Sequence, residues 1–135
     1  MPYVQYPKPR PQLQRGEATR LLTRIVSRAT EINEDPVRYP YAVRRLVVFG
    51  SFLTDKEVLG DLDIGVELKL VRPMASLDLE RPDWRPIHWA NRTHVALQVR
   101  RPKVVSIHDI FEVLKLGTPT RQVFEDKTLR LLDLG

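Results

Sequence analysis

Two short motifs carry the residue types that could do chemistry in this chain. Gly50-Ser51 follows an apolar run, and the pair Asp61 and Asp63 begins ten residues after Ser51. Two carboxylates on one face of a strand repel each other, and a fold keeps such a pair chiefly to hold a cation. Oxygen ligands suit a hard divalent ion, so the pair predicts a site for Mg²⁺ or Mn²⁺. Asp-x-Asp pairs are also common in strands and turns that bind no metal.

The apolar runs beside these motifs predict two buried strands. Residues 46–49 and 62–66 are rich in branched and aromatic side chains, and glycine and charged residues bound them. Runs of this length favour strands over helices. Because side chains alternate along a strand, Asp61 and Asp63 lie on one face, and that face continues to Glu67.

The order of these features resembles the nucleotidyltransferase superfamily that includes DNA polymerase beta. Its signature is a hydrophobic strand, a Gly-Ser or Gly-Gly turn that opens a short helix, and an Asp-x-Asp pair on the neighbouring strand. Gly50, Ser51, Asp61 and Asp63 match that signature. The resemblance implies an α+β (α/β) fold, in which a small mixed β-sheet has helices packed on one side.

The resemblance also implies a reaction. Asp61 and Asp63 would be catalytic residues and metal ligands, while Gly50 and Ser51 would bind the β and γ phosphates of a nucleoside triphosphate. The metal ions would assist attack by a hydroxyl on the α phosphate as pyrophosphate leaves. The family often has an arginine shortly after the turn, and Lys56 is the candidate here for that positive charge in nucleotide binding.

A third metal-binding carboxylate is harder to find. The resemblance places it on a later strand, but the later predicted strands contain no acidic residue, and the neutral Gln98 and Ser106 stand where it is expected. Asp109 is the nearest candidate metal ligand, although capping of a helix explains it equally well. Glu67 is the other candidate.

Composition and charge describe an ordinary globular chain with a basic surface. The sequence has 135 residues, a net charge of +5 and no cysteine, which excludes disulfides and thiolate chemistry. The positive charge favours anionic partners such as nucleotide phosphates or RNA. The sequence has no signal-peptide pattern and no apolar run long enough to cross a membrane, so we expect a cytoplasmic protein without membrane contact.

The N-terminal third divides into a tail and a helix. Residues 1–14 hold four prolines and predict a flexible tail, and residues 15–135 predict a single nucleotidyltransferase-like domain. Apolar residues spaced by three and four predict a helix over residues 16–33. Its other face carries Arg15, Arg20, Arg24 and Arg28. These arginines form either a solvated face or a ridge that contacts a phosphate backbone.

Two tryptophans mark the least regular part of the sequence. Trp84 and Trp89 stand among prolines and arginines, and a short helix is predicted over residues 87–92, which include Trp89. Such tryptophans either close the edge of a core or stack on a nucleic-acid base.

The C-terminal part predicts strands followed by a helix. Residues 95–99 and 104–107 have strand-like composition, and the basic segment 100–103 predicts a hairpin turn between them. A capping box predicts a helix over residues 107–116. Residues 121–132 form another short amphipathic element.

Two classes of function follow from these observations. The first is a metal-dependent nucleotidyltransferase that transfers a nucleoside monophosphate to a hydroxyl of an RNA, a protein or a small molecule. The second is a nucleotidyltransferase-like domain that has lost catalysis and binds nucleotide, RNA or protein. In either class, a homodimer or a partner chain could complete the acceptor site.

Overall fold

The fold is a mixed α+β domain, as the sequence predicts. The computed structural model describes residues 12–129. Its strands are β1 (Leu13–Gln14), β2 (Tyr41–Phe49), β3 (Val58–Leu59), β4 (Leu62–Leu70), β5 (Val105–Asp109) and β6 (Thr120–Glu125). Its helices are α1 (Arg15–Asn33), α2 (Met74–Glu80), α3 (Pro86–Leu97) and α4 (Ile110–Lys115), and Gly50–Leu53 forms one turn of 3₁₀ helix.

The main sheet is mixed and has the strand order β5-β4-β2-β6. β2 pairs antiparallel with both β4 and β6, and β5 runs parallel to β4. A parallel pair needs a long crossover connection, and α2 and α3 lie within the crossover from β4 to β5. The two strands predicted over residues 46–49 and 62–66 are therefore neighbours, and both extend beyond the predicted runs.

One face of this sheet packs against α1 and α3. The buried residues of α1 recur at helical spacing: Ala18, Leu21, Ile25, Ala29 and Ile32. They join Leu46, Val48 and Ile64 of the sheet and Leu97 of α3 in one apolar core. The helix predicted over residues 16–33 is confirmed, because its apolar stripe is the surface that the core requires.

The opposite face of the sheet is covered in part by α4. A Cβ atom on Gly65 of β4 would lie 2.9 Å from Val47 Cγ2 and 3.3 Å from Val113 Cγ2, so α4 packs closely over this glycine. The predicted packing of helices on one side of the sheet therefore holds for the long helices α1 and α3. The short helix α4 lies on the other side of the sheet.

Residues 95–99 do not form the predicted strand. Residues 95–97 complete helix α3, whose buried positions Trp89, Thr93 and Leu97 follow a four-residue spacing. The helix ends where Val99 and Arg100 adopt left-handed backbone conformations, with φ of 45° and 62°. The hairpin predicted over residues 100–103 is also wrong, because this segment joins a helix to β5. A short apolar run does not by itself distinguish a strand from a buried helical turn.

The C-terminal helix is shorter than predicted. It covers Ile110–Lys115, while the first residues of the predicted range 107–116 belong to β5. Asp109 caps the helix by itself: its carboxylate accepts hydrogen bonds from the backbone N–H groups of Phe111 and Glu112. The amphipathic element predicted over residues 121–132 is strand β6 up to Glu125.

The ordered domain begins before residue 15. Leu13 is fully buried and pairs with Leu59 across the small sheet of β1 and β3. The predicted tail over residues 1–14 therefore includes two residues that belong to a sheet, and its first eleven residues lie outside the described part of the chain.

Replacing Leu13 tests this boundary. Leu13→Ala removes a buried side chain and is expected to lower the free energy of unfolding by about 2–4 kcal/mol, measured by urea denaturation. Val58→Ala is the matched control, because Val58 lies in the partner strand and is 42% exposed. Equal and small losses in both variants would contradict a structural role for Leu13.

Candidate functional site

The Gly50-Ser51 turn closes directly onto the side chain of Asp63. Phe49 at the end of β2 pairs with Asp63 near the start of β4, so the chain turns at Gly50 over the carboxylate. Gly50 has φ of +73°, and a Cβ atom there would lie 2.7 Å from Asp63 Oδ2. The left-handed backbone conformation therefore favours glycine, and a side chain at this position would displace the Asp63 carboxylate. The fold brings the two sequence motifs into contact.

Asp61 stands just before β4 and is linked to the turn. The hydroxyl of Ser51 donates a hydrogen bond to the backbone carbonyl of Asp61 at 3.4 Å. Gly50, Ser51, Asp61 and Asp63 consequently lie together at one end of the sheet. This is the grouping that the resemblance to nucleotidyltransferases implies.

Asp63 is held in an environment that disfavours its charge. Burial raises the pKa of Asp63, and the negative charge of Asp61 raises it further. His108 opposes both effects through its charge and a hydrogen bond, but the pKa stays above its ordinary value. A cation beside the two carboxylates would offset the repulsion between them.

The loop after the turn is fixed by Arg15. The Arg15 guanidinium donates hydrogen bonds to the carbonyl oxygens of Phe52 (2.8 Å), Thr54 and Lys56 (2.9 Å), and it lies 5.5 Å from the centroid of the Phe52 ring. Lys56 is exposed in this loop and close in sequence to the turn. The sequence predicts Arg15 only as a member of the arginine face of this helix, and nothing in the sequence connects it to a loop 37 to 41 residues away.

Neither acidic candidate for a third metal ligand joins Asp61 and Asp63. Glu67 forms ion pairs with Arg45 at 3.4 Å and with Lys69 at 3.9 Å, further along β4. Asp109 caps α4, and its charge acts on His94 of α3, where it opposes the lowering of the His94 pKa by burial. The structure thus gives both carboxylates other partners.

Ser106 and His108 occupy the strand beside Asp63. Ser106 pairs with Asp63 in the parallel register of β5 and β4, and His108 is the next residue on the same face. His108 Nε2 lies 2.9 Å from Ser106 Oγ and 3.5 Å from Asp63 Oδ1, and its ring packs edge-on against Phe49. A neutral hydroxyl and an imidazole therefore stand where a third carboxylate is expected. Gln98, the other neutral candidate, lies after α3 and donates to the Val105 carbonyl.

The Ser106, His108 and Asp63 cluster is not a nucleophilic triad. In such a triad the serine and the aspartate bind opposite nitrogens of the imidazole, so that one nitrogen takes a proton while the other is oriented. Here both side chains face the same atom, His108 Nε2. The arrangement therefore does not match the geometry that relays a proton from a serine through an imidazole.

The donor set at this end of the sheet suits one hard cation. Within residues 12–129, no three or more histidine or acidic side chains converge as a complete metal site. Two carboxylates are nevertheless enough for Mg²⁺, which commonly binds one or two protein carboxylates and completes its shell with water and substrate phosphates.

Comparison with known proteins identifies no relative of this chain. No family model, no curated protein and no solved structure matches the chain. Across the described range 12–129, no helix is long and apolar enough to cross a membrane.

Removing the charge of Asp63 is expected to stabilise the domain. The pKa of Asp63 is higher in the folded state than in the unfolded chain, where it has its ordinary value near pH 4. Between these two pKa values the folded protein binds more protons than the unfolded chain. The free energy of unfolding contributed by this group therefore falls as pH rises through that window. Asp63→Asn should increase the melting temperature at pH 7 by a few degrees, on the order of 1–3 °C, and the gain should vanish towards pH 4.

The measurement is thermal unfolding of both proteins at several pH values without metal. Asp55→Asn is the matched control, since Asp55 is exposed in the neighbouring loop. A melting temperature at pH 7 that is lower in Asp63→Asn than in the wild type would show instead that the charged carboxylate stabilises the fold.

Proposed function

We propose that this chain is a nucleotidyltransferase-like domain that binds a nucleoside triphosphate together with Mg²⁺ or Mn²⁺ and transfers the nucleoside monophosphate to a hydroxyl. The observation that carries the proposal is the closure of the Gly50 turn onto Asp63, with a hypothetical Cβ on Gly50 only 2.7 Å from Asp63 Oδ2. The carboxylates of Asp61 and Asp63 can hold a cation, and the adjacent turn has no side chain at Gly50, so its backbone can approach the phosphate oxygens that such a cation binds.

Each residue of the proposed site has its own role. Asp61 and Asp63 hold the cation, which supplies charge neutralisation at the phosphates when bound. The backbone at Gly50 can approach phosphate oxygens closely, and the Ser51 hydroxyl can exchange its long hydrogen bond to Asp61 for one to phosphate. Arg15 positions the loop that follows, and Lys56 in that loop contributes positive charge near the phosphates.

Because β5 places Ser106 and no acidic side chain opposite Asp63, we expect one cation in place of the two that the resemblance implies. Ser106 supplies only a hydroxyl, and His108 already contacts Asp63. We expect slow transfer for this reason, since one ion provides less charge stabilisation than two.

A second candidate function is a binding domain without catalysis. The observation that favours it is the missing third carboxylate: Ser106 and His108 stand at the expected place and contact each other at 2.9 Å. In this case the domain would bind nucleotide, RNA or a partner protein and perform no transfer.

Triphosphate binding tests the shared part of both candidates. Isothermal titration of ATP, GTP, CTP and UTP with Mg²⁺ or Mn²⁺ should give metal-dependent binding to the wild type. The double variant Asp61→Ala/Asp63→Ala should bind the metal–triphosphate complex more than about tenfold more weakly. Loss of a residue that only orients a metal ligand already costs about tenfold, and this variant removes the ligands themselves. Asp55→Ala/Asp78→Ala removes two exposed carboxylates elsewhere and is the matched control. Equal binding by all three proteins would exclude a metal site at Asp61 and Asp63.

Supplying the missing carboxylate tests the enzyme hypothesis. Ser106→Asp places an acidic side chain beside Asp63, and it should raise the affinity for Mn²⁺ and the rate of transfer from an α-labelled nucleoside triphosphate. The control Ser106→Asn has nearly the same size without the charge. No increase in Mn²⁺ affinity over Ser106→Asn would mean that β5 is not part of the metal site.

A further inference from the structure

A large groove lies between α1 and α3, away from the Asp61–Asp63 site. Its volume is about 910 Å³, and no residue of the Gly50-Ser51 turn or of the aspartate pair lines it. That volume is at the upper end of pockets that bind small ligands. The groove belongs to the helical side of the sheet, whereas Asp63 faces the side of α4.

Arginines dominate the charge of this groove. Arg24 and Arg28 come from α1, Arg92 from α3 and Arg100 from the segment after α3. The one acidic side chain in the lining is Glu31, which pairs with Arg28 at 2.8 Å. The lining therefore carries a net positive charge, and it contains no lysine. Arginine presents several N–H donors in a planar fork that matches phosphate oxygens.

Several of these guanidinium groups are held in place by the protein. Arg92 stacks over Trp84 and Trp89, with distances of 4.8 and 5.2 Å from its Cζ atom to the ring centroids. Arg28 donates to the hydroxyl of Tyr39 at 2.8 Å. A stacked guanidinium keeps its N–H edge available, so these contacts orient the donors without using all of them.

The backbone at the end of α3 supports the same arrangement. Val99 and Arg100 both have positive φ, of 45° and 62°, which is unfavourable for residues other than glycine, above all for a branched one such as Val99. The Val99 carbonyl accepts a hydrogen bond from Arg24 at 3.4 Å, and Arg100 is exposed at the groove. This strained turn brings a fourth arginine to the groove, and strain of this kind is concentrated at functional sites.

The two tryptophans have different roles. Trp89 is 2% exposed and belongs to the interior, so it cannot stack on a base. Trp84 is half-buried, lines the groove, and has Arg81 and Arg92 over its ring at 4.5 and 4.8 Å. A base could stack on Trp84 by taking the place of one guanidinium, which would then be released towards phosphate.

We propose that this groove binds single-stranded RNA through its phosphates. Arg24 and Arg28 lie one helical turn apart on α1, while Arg92 lies on α3 and Arg100 follows the end of α3, so both walls of the groove carry positive charge. Successive phosphates of a strand match this distribution better than one phosphate group does. Aromatic and arginine side chains in an open positive groove are the usual elements of single-strand binding. The inference does not depend on nucleotidyl transfer at Asp61 and Asp63.

The test is binding of a fluorescein-labelled 12-mer of uridine, measured by anisotropy over a series of salt concentrations. If four arginines contact phosphates, the logarithm of the binding constant should fall with the logarithm of salt with a slope of about −3. Arg24→Gln/Arg100→Gln should reduce the slope to about −1.5 and weaken binding more than about tenfold at 0.1 M salt. Arg100→Gln alone should have part of this effect, and it keeps the contact of Arg24 with Val99.

Two further variants separate a specific groove from general positive charge. Arg20→Gln is the matched control, because Arg20 lies on α1, is exposed, and does not line the groove. Glu31→Gln removes the one acidic group of the lining and should tighten binding, which a loss of structure would not do. Asp61→Ala/Asp63→Ala should bind RNA as the wild type does, so a failure of the metal site can be told from a failure of the groove.

Four results would overturn the proposal. The first is that the wild type does not bind the RNA at 50 mM salt, and the second is that Arg20→Gln weakens binding as much as Arg100→Gln does. The third is that a 12-mer of glutamate displaces the labelled RNA at the same concentration as unlabelled RNA does. The fourth is that uridine monophosphate displaces it at that concentration. The third would identify an acidic peptide as the ligand, and the fourth a mononucleotide.

Discussion

The pairing register of β2 and β4 is the constraint on which the rest of the structure depends. With Phe49 opposite Asp63, the chain that leaves β2 must turn over the aspartate, and glycine is the residue that fits there. The same register places Val48 opposite Ile64 in the core. A slip of one residue would move the carboxylate to the core face and the core residues to the other face. Burial of the apolar face thus fixes the geometry of the polar end.

The two faces of the sheet therefore have different tasks. One face supports the core with α1 and α3, and it supplies most of the apolar burial. The other face carries Asp63, Ser106 and His108 at one end and the short α4 over Gly65. At this polar end the protein keeps a carboxylate in an environment that raises its pKa, which reduces stability at neutral pH. Such an unfavourable placement is common where a side chain serves binding or catalysis.

The arginines of α1 show how the tertiary environment assigns roles to identical residues. Arg15 fixes the loop after the Gly50 turn, Arg28 joins Glu31 and Tyr39, and Arg24 reaches the end of α3. The arginine face of α1, for which the sequence leaves open both a solvated surface and a phosphate-binding ridge, is thereby divided between a loop anchor and a groove. Its alternative interpretation as a wholly solvated face is incomplete, because three of the four arginines make contacts outside their own helix.

The amino-acid sequence by itself determined helix α1 and the two central strands, because hydrophobic periodicity and run length are local features. The α+β class and the grouping of Gly50, Ser51, Asp61 and Asp63 were expected from the resemblance that these motifs carry. Only the tertiary structure decided that residues 95–97 are helical and that Ser106 and His108 stand beside Asp63. It also decided that Arg15 holds the site loop and that four arginines from distant segments share one groove. These features depend on contacts between residues far apart in the chain, and local propensity carries no information about such contacts.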